Sequence, residues 1–534
     1  MSPVATTQRP ARRTLWCKQA GWLLLTAGLV AAAGCGCSAG AGAGGPAGLA
    51  AGGAGAAGGP GSAGGGGAAG AGGSAGLGGL AGGGGTGAGA GGPAPGEHLW
   101  SKQFGDANSY QNGLGVAVDD GGNVVVVGEF VGTIDFGGGP LQADAGGDIF
   151  VAKLGPDASH LWSKDFGGPQ AGGRARAVAV DGARNVVVVG DFGGVVDFGG
   201  GPLSPEGYTA IFVAKYDADG KHLWSKQFGD PEPLHGAARA FTVAVDGSGN
   251  VVVAGDFYGT IDFGGGQLDA EGKITLEADI FLVKLGAGGE HLWSKRFGNP
   301  SFQSATGVVV DAAGSVVVTG WFEGSVDFGA GPLDSAGAND VFLAKYDADG
   351  KHVWSKHFGQ WKDTIGAFGT AVALDAAGNI VVTGKVAGAV DFGGGLLVST
   401  DAGDIFVAKL DPEGEHLWSK AFGGANDQDV HTVAVDALGN VLLAGDFVGE
   451  LDFGGGVLGE SVCGAFLAKL DPAGSHLWSK SFGQGLADQY ASGVSADGSG
   501  NVLLVGEFGS TIDLGGGGML SAGGSDVFVA KFAP

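Results

Sequence analysis

Cysteine and basic residues are scarce in this chain, and each shortage argues against a class of protein. Cysteine occurs four times in 534 residues, and Cys463 is the only copy beyond Cys37, so no disulfide framework can hold the main body together. Lysine and arginine number 28 against 54 acidic residues, which gives a net charge of −26. Nucleic acid binding needs a basic face, so this balance argues against that partner.

Catalytic signatures are missing from the repetitive part of the chain, residues 97–534. It contains no Gly-x-Ser-x-Gly elbow, no zinc-ligand spacing and no phosphate-binding loop. The turn pattern Asp217-Ala218-Asp219-Gly220 lacks the further ligands of a calcium loop. We therefore predict no catalytic residue, no metal site and no cofactor.

What the chain has in abundance is a repeat. The motif HLWSK or HVWSK occurs seven times, at intervals of 60 to 69 residues. It begins at His98, His160, His222, His291, His352, His416 and His476. A unit of this size that contains only strand signals cannot bury its own faces, so the period predicts a stacked or closed repeat architecture.

Four strand signals, here called a, b, c and d, recur in each unit. In the first full copy they cover Gly115–Asp119, Asn123–Phe130, Asp148–Leu154 and His160–Phe166. These runs are rich in Val, Ile, Phe and Trp and are bounded by Gly, Asp and Asn, as is typical of strands. The b run is apolar on both faces, which predicts burial on both sides. Each unit is therefore expected to form one antiparallel sheet.

The two ends of the repeat region are complementary. A d-type strand, His98–Phe104, precedes the first full unit, and the last unit stops after its c strand, Asp526–Phe532. Pairing of these two strands would complete the last sheet and remove open edges. The sequence thus predicts an all-β fold, a closed seven-bladed β-propeller of four-stranded antiparallel blades.

The connections between strands divide into two kinds. The a–b and c–d connections are short and nearly invariant, as in Asp119-Asp120-Gly121-Gly122-Asn123, and they read as tight hairpin turns. The b–c and d–a connections vary in length and sequence. Because antiparallel strands alternate in direction, the variable loops share one face. Functional residues concentrate on loops held by a rigid scaffold, so this variable-loop face is the predicted binding surface.

The units Ala117–Gly128 (AVDDGGNVVVVG) and Asp148–Leu154 (DIFVAKL) resemble the SBBP-type β-propeller repeat of bacteria. The resemblance covers residues 97–534. It implies a propeller and a location in the cell envelope. It implies no catalytic residue, because the positions that the family shares are structural.

The N-terminus is typical of an exported bacterial protein. Basic residues precede a short apolar core, Gly21–Ala33, whose 13 residues fall short of the roughly 20 that a membrane-spanning helix needs. The following Ala32-Ala33-Gly34-Cys35 resembles a lipobox, which would make Cys35 the lipidated residue. The alternative is ordinary signal cleavage near Ala33. Paired arginines near the start also faintly resemble a twin-arginine export signal.

Residues 38 to about 95 consist almost wholly of Gly and Ala. Such a segment cannot bury enough apolar surface to fold, so we expect a disordered tether with a mean reach of about 40–45 Å. The predicted organisation is a signal peptide at 1–34, a lipidated N-terminus and linker at 35–96, and a propeller at 97–534 in which the N-terminal d strand closes the last blade.

Residues that recur in every unit are expected to support the fold. The seven HLWSK histidines invite a metal site, but d strands are outermost, so the histidines of different blades lie too far apart to share an ion. The seven tryptophans of the same motif and the seven aspartates from Asp135 to Asp513 are interpreted in the same way, as packing and turn residues. Function would show where the repeat is broken.

Two groups of departures from the repeat are the candidate ligand-binding residues. Basic residues gather in what we interpret as variable loops of the second and third blades and could receive an anionic group. Near the middle of the chain, Trp321 and Lys385 replace the usual acidic residue after the b-strand glycine. Trp361 and Lys362 lie in a d–a loop. We interpret these aromatic and basic residues as exposed, which suits contact with a sugar or a peptide. The candidates are Arg174, Arg176, His235, Arg239, Lys273, Trp321, Trp361, Lys362 and Lys385. No chemistry is assigned to Tyr110, Gln111, Asp427, Asp429 and Tyr490 in the other loops.

We expect a monomeric envelope lipoprotein, associated with the outer membrane through its lipid, whose propeller is a non-catalytic binding or scaffold module. An envelope protein or a glycan would be the partner. Two alternatives stay open. One is a structural or adhesive surface component. The other is an enzyme that acts on glycans or is similar to quinoprotein dehydrogenases, whose Trp-bearing repeat the d strand resembles.

Overall fold

The computed structural model describes residues 92–534, apart from gaps at 108, 145, 170, 206, 231–236, 272–276, 360–365, 400–402, 425, 460 and 484–488. Within these ranges every regular element is a β-strand. The described part of the chain therefore contains no helix long and apolar enough to cross a membrane.

Of the 40 strands in the described residues, 28 form seven antiparallel sheets of four strands each, in the order a-b-c-d. The other 12 are short strands that form six two-stranded sheets in the b–c connections. The strand bounds are, for blade 1, Gln111–Val118, Val124–Phe130, Asp148–Leu154, His160–Phe166; blade 2, Gly172–Val180, Val186–Gly193, Ala210–Tyr216, His222–Phe228; blade 3, Ala238–Val245, Val251–Phe257, Asp279–Leu285, His291–Phe297; blade 4, Gln303–Val310, Val316–Phe322, Asp340–Tyr346, His352–Phe358; blade 5, Gly366–Leu374, Ile380–Ala387, Asp404–Leu410, His416–Phe422; blade 6, Gln428–Val435, Val441–Gly449, Ser461–Leu470, His476–Phe482; blade 7, Gln489–Ala496, Val502–Phe508, Asp526–Phe532, His98–Phe104.

The predicted closure is confirmed. The first strand, His98–Phe104, pairs antiparallel with the last, Asp526–Phe532, so that Ser101 lies opposite Ala530. Each a strand contacts the a strands of both neighbouring blades, all the way round the ring. The a strands are therefore innermost and surround a central channel, while the d strands form the outer rim.

The core lies between the blades. Seven apolar clusters each join two neighbouring blades, including one that joins blade 7 to blade 1 through Phe104, Phe136 and Val527. The b strands supply much of this core, and all four residues of Val124–Val127 are fully buried, as their apolar sequence predicts. Cys463 is also buried near the start of a c strand. Each Å² of apolar surface that these clusters remove from water contributes roughly 25 cal/mol to the folding free energy. This burial holds the ring together without disulfides.

Strand bounds agree with the sequence prediction for c and d and differ for a. In blade 1 the c and d strands cover the predicted residues, whereas the a strand begins at Gln111 instead of Gly115. The register of this strand shifts between Gly113 and Gly115, so Leu114 lies in a bulge. The bulge breaks the two-residue alternation that identifies a strand in a sequence, which hid the first half of this one.

Invariant carboxylates and lysines stabilise the face that carries the short turns. Asp119 Oδ1 accepts hydrogen bonds from the backbone N–H groups of Gly121 and Asn123 and thereby shapes the a–b turn. Burial opposes ionisation of Asp119, but hydrogen bonds from Asn123 and Lys153 hold its pKa below the usual value. Equivalent Lys–Asp pairs with N–O distances of 2.8 to 3.5 Å are Lys153–Asp119, Lys215–Asp181, Lys284–Asp246, Lys345–Asp311, Lys409–Asp375, Lys469–Asp436 and Lys531–Asp497.

The recurring HLWSK residues fasten the outer strands. His160 Nε2 lies 3.1 Å from Ser163 Oγ in its own strand, and the other six blades repeat this contact at 3.0–3.1 Å. Trp162 Nε1 donates to the carbonyl of Ala218 in the next blade at 3.1 Å. Asp135 Oδ1 accepts from the Gly137 N–H at 2.7 Å and caps a Gly-rich turn. These contacts agree with the structural roles predicted for the recurring residues.

Candidate ligand-binding site at the mouth of the central channel

Every a strand carries a bulge at the same position. At this point one residue has no partner on the b strand, because the register shifts around it. The seven residues, which we call the bulge ring, are Leu114, Arg176, Phe241, Thr306, Thr370, His431 and Ser492. Bulges commonly re-aim a side chain next to a functional site. Here they lie on the innermost strand, whose other edge faces the channel.

A second ring lies closer to the variable-loop face, where the a strands begin and the b strands end. It consists of seven cross-strand pairs, which we call the mouth pairs. They are Asn112–Glu129, Arg174–Asp191, Arg239–Asp256, Ser304–Trp321, Phe368–Lys385, Asp429–Asp446 and Tyr490–Glu507. The variable loops approach one another at the same end, since Tyr110 bridges to Ser525 and Gly403 bridges to Asp427.

Three arginines of blades 2 and 3, the basic arc, lie above buried carboxylates. Arg174 Nε is 2.9 Å from Glu129 Oε2 on blade 1, and Arg176 Nε bonds to Asp191. Burial raises the pKa of Glu129, although the Arg174 charge and the Asn112 hydrogen bond oppose it. The third arginine is Arg239.

Arg239 forms the most extensive contacts of the basic arc. Its Nε and Nη2 donate to the two carboxylate oxygens of Asp256, both at 2.9 Å. Asp256 is almost fully buried and also accepts from Ser304 Oγ of the next blade at 3.1 Å. The guanidinium of Arg239 lies 5.3 Å from the centre of the Phe241 ring, and that of Arg176 lies 5.2 Å from it. This cation–π stack holds three side chains of two blades together.

Blades 5 and 6 carry a second charged cluster. Lys385 Nζ lies 3.0 Å from Asp427 Oδ1 and 3.0 Å from Asp429 Oδ1. His431 Nε2 bonds to Asp446. Burial alone would lower the pKa of His431, but its hydrogen bond to Asp446 and the charges of Asp446 and Asp429 raise it. Burial raises the pKa of Asp446 in turn, against the pull of His431. We call Asp427, Asp429 and Asp446 the acidic arc.

Aromatic side chains separate the two arcs on one side of the ring. Trp321 of blade 4 and Phe368 of blade 5 contact each other edge to face, with ring centres 5.5 Å apart. Thr306 Oγ1 donates to the Gly369 carbonyl at 2.8 Å and ties the same two blades. The channel mouth thus presents basic, aromatic and acidic sectors in succession.

Of the nine candidate residues, the structure brings five to this ring. Arg174, Arg176, Arg239, Trp321 and Lys385 all lie on innermost or adjoining strands around the channel mouth. Two details of the prediction were wrong. The three arginines lie in a strands and not in loops, because the bulge hid the start of those strands. Trp321 and Lys385 are half-buried by contacts with the neighbouring blade and are not freely exposed. His235, Lys273, Trp361 and Lys362 lie outside the described residues.

Sequence reasoning missed most of the bulge ring and the role of the acidic arc. Phe241, His431 and Asp446 received no assignment, and Asp427 and Asp429 were set aside as loop residues without chemistry. Gln111, also placed in a loop, is a fully buried strand residue. A position-by-position alignment of the seven units would have found these sites, because HLWSK stays nearly constant while the bulge position changes in almost every blade.

No family model matches the chain. An uncharacterised WD repeat-containing protein, L264, of Acanthamoeba polyphaga mimivirus is 22% identical over 190 residues, which are 30% of this chain and 14% of that protein. The regulatory protein FlaEY of Caulobacter vibrioides is 25% identical over 252 residues, which are 46% of this chain and 24% of that protein. The chain therefore matches less than a quarter of the length of either relative.

Two of the solved structures with a similar chain path are propeller domains. The WD40 domain of Pan2 from Neurospora crassa has 9% identity and a TM-score of 0.39, covering 82% of this chain and 98% of that one. The β-propeller domain of the Trilobed protease from Pyrococcus furiosus has 10% identity and a TM-score of 0.38, covering 78% and 96%.

Proposed function

We propose that this protein is a non-catalytic binding module of the bacterial cell envelope, and that its ligand binds at the mouth of the central channel on the variable-loop face. One observation carries the proposal. The chain repeats its outer strand almost unchanged seven times, yet the bulge ring and the mouth pairs differ from blade to blade. A repeat protein diversifies the positions that its fold does not need, and here those positions converge on one channel.

The physical setting of these residues suits recognition. They stand on paired strands, so their side chains are pre-organised and lose little entropy when a ligand binds. Aromatic and arginine side chains, which dominate binding energies at interfaces, are concentrated here as Phe241, Trp321, Phe368 and the basic arc. The outer rim repeats HLWSK or HVWSK on every blade, and within its strands variation is concentrated at the one residue that follows this motif.

Attachment to the envelope completes the proposal. The lipobox-like sequence before Cys35 and the Gly/Ala segment that follows favour a lipid anchor and a spacer. Both lie outside the described residues. A monomeric propeller on such a spacer would meet an envelope protein or a glycan without a second subunit.

The binding proposal is tested by a matched pair of arginine variants. Arg174→Ala should weaken saturable binding of the full chain to an envelope-protein or glycan array by about tenfold, because it removes one charged contact at the mouth. Arg184→Ala should leave binding unchanged. Arg184 is equally exposed, at 48% against 45%, and is ion-paired with Asp120, but it lies on the opposite face. Equal loss in both variants, or no saturable binding on either array, contradicts recognition and favours a structural component.

The anchor is tested separately. Cys35→Ser should abolish incorporation of a labelled fatty acid and release the protein from the membrane fraction, because the thiol is the predicted acylation point. Cys37→Ser, two residues away, is the matched control and should still be labelled. A Cys35→Ser chain that keeps both the label and the membrane association would rule out this anchor.

A further inference from the structure

The basic arc and the Lys385 site of the acidic arc expose opposite charges. In the basic arc the arginines lie on the accessible side, since Arg174 and Arg239 are 45% and 38% exposed while Glu129 and Asp256 are 13% and 3% exposed. At Lys385 the order is reversed, because this lysine is 20% exposed and its partners Asp427 and Asp429 are 34% and 31% exposed. The neighbouring pair follows the order of the basic arc, with His431 37% and Asp446 13% exposed. The carboxylates that a ligand can reach in the acidic arc are therefore those of Asp427 and Asp429.

The arginines keep binding capacity after pairing. Arg174 and Arg176 use Nε for Glu129 and Asp191, and their terminal nitrogens engage no acceptor among the described residues. A guanidinium offers five N–H donors in a planar fork that matches a carboxylate. This sector can therefore accept a carboxylate without losing its own ion pairs.

The acidic arc has the complementary capacity. Asp427 and Asp429 share one lysine, and Lys385 Nζ contacts both oxygens of Asp429, at 3.0 and 3.1 Å. A carboxylate has about four lone-pair sites, so both groups keep accepting capacity. His431, on the same strand as Asp429, is paired with Asp446 and leaves Asp427 and Asp429 as the accepting groups. The sector can accept the N–H donors of an ammonium or a guanidinium.

The ring places the arcs on opposite sides of the channel. The basic arc belongs to blades 2 and 3 and the acidic arc to blade 6, so at least two blades separate them in either direction. Trp321 of blade 4 and Phe368 of blade 5 lie between the two arcs on one side of the ring. A ligand that satisfies both arcs must carry separated charges of both signs and some apolar surface.

We infer that the ligand is an extended peptide segment that bears both acidic and basic side chains. This inference rests on the proposed function and chooses between its two partner classes. A peptide supplies carboxylates for Arg174 and Arg176, ammonium or guanidinium groups for Asp427 and Asp429, and apolar side chains for the aromatic sector. A polyanionic glycan carries only one of the two signs and leaves the acidic arc facing like charge.

The inference is tested with synthetic peptides of equal length in four compositions: acidic, basic, mixed and uncharged. The full chain should bind mixed peptides at least about tenfold more tightly than either single-sign set at 0.15 M salt. Arg174→Gln should weaken the binding of mixed and acidic peptides by about three- to tenfold and leave the binding of basic peptides unchanged. Asp427→Asn should do the reverse, weakening mixed and basic peptides by a similar factor.

The reciprocal pattern separates recognition from stability, because a folding defect would weaken all four sets equally. Arg184→Gln and Asp349→Asn are matched controls on the short-turn face and should change nothing. Ring-dependent binding of a glycan, or of peptides of one sign only, would overturn this inference and leave the proposed function standing. Absence of any binding that responds to ring variants defeats both.

Discussion

Removal of residues 1–104 should open the ring and cost on the order of 6–10 kcal/mol of folding free energy, because two large aromatic side chains leave a blade interface. These are Trp100 and Phe104, which belong to the apolar cluster between blades 7 and 1. The deletion also exposes the outer edge of Asp526–Phe532, which keeps only its pairing with Val502–Phe508, and an open strand edge is an aggregation hazard. We expect a broad, non-cooperative thermal transition and concentration-dependent precipitation.

A deletion of residues 1–93 is the control, since it keeps the closing strand, His98–Phe104. Its midpoint of thermal unfolding should equal that of the full chain. The comparison is made by calorimetry and size-exclusion chromatography at several concentrations. If the 1–104 deletion unfolds as one sharp transition near the midpoint of the control, the closing strand does not hold the ring.

Gly128→Ala should destabilise the protein by about 3 kcal/mol or more, because overpacking a fully buried site forces backbone movement. A Cβ on Gly128 would lie 1.9 Å from the Asn112 carbonyl oxygen and 2.8 Å from the Phe150 ring. Neither group can withdraw. The first belongs to the paired a strand of the same blade, and the second lies in the core.

Gly182→Ala is the matched control for this substitution. Gly182 lies in an exposed a–b turn where an added Cβ meets nothing within 4 Å. This change should leave stability unaltered or raise it by about 0.4–1 kcal/mol through the entropy of the unfolded chain. Urea unfolding followed by tryptophan fluorescence measures both. Equal stabilities of the two variants would show that the close approach of strands a and b at Gly128 is absent.

The sequence was sufficient for the architecture because the information is repeated. Seven copies of HLWSK set the number of blades, and the lone strand His98–Phe104 predicted how the last blade is completed. The c strand and its turn could be predicted from local sequence, because a DIFVAKL run followed by Asp and Gly is typical of a strand and a tight turn. In these positions local preference and tertiary packing agree.

Only part of the candidate site could be predicted from the sequence, for a physical reason. The bulge at Leu114, like its six equivalents, interrupts the alternation of side chains by which a strand is recognised. The N-terminal halves of the a strands were therefore interpreted as loops. Arg174 and Arg239 stood out because basic residues are rare in this chain. Phe241 and His431 did not, since a single aromatic or imidazole carries no signal until the ring brings it beside its partners.

Near-identity of the outer strands has a consequence for folding. Each c strand accepts a run that reads HLWSK or HVWSK, so any of the seven copies is chemically able to fill the place that His98–Phe104 occupies. Apart from the residue after the lysine, which is Gln103 in the closing strand, only chain connectivity distinguishes the correct strand from the others. During synthesis or refolding, the last blade can capture the corresponding strand of another molecule before its own arrives, and the result is a swapped dimer or a longer chain of rings. Dilution, which favours capture within one molecule, is therefore the condition under which this protein assembles correctly.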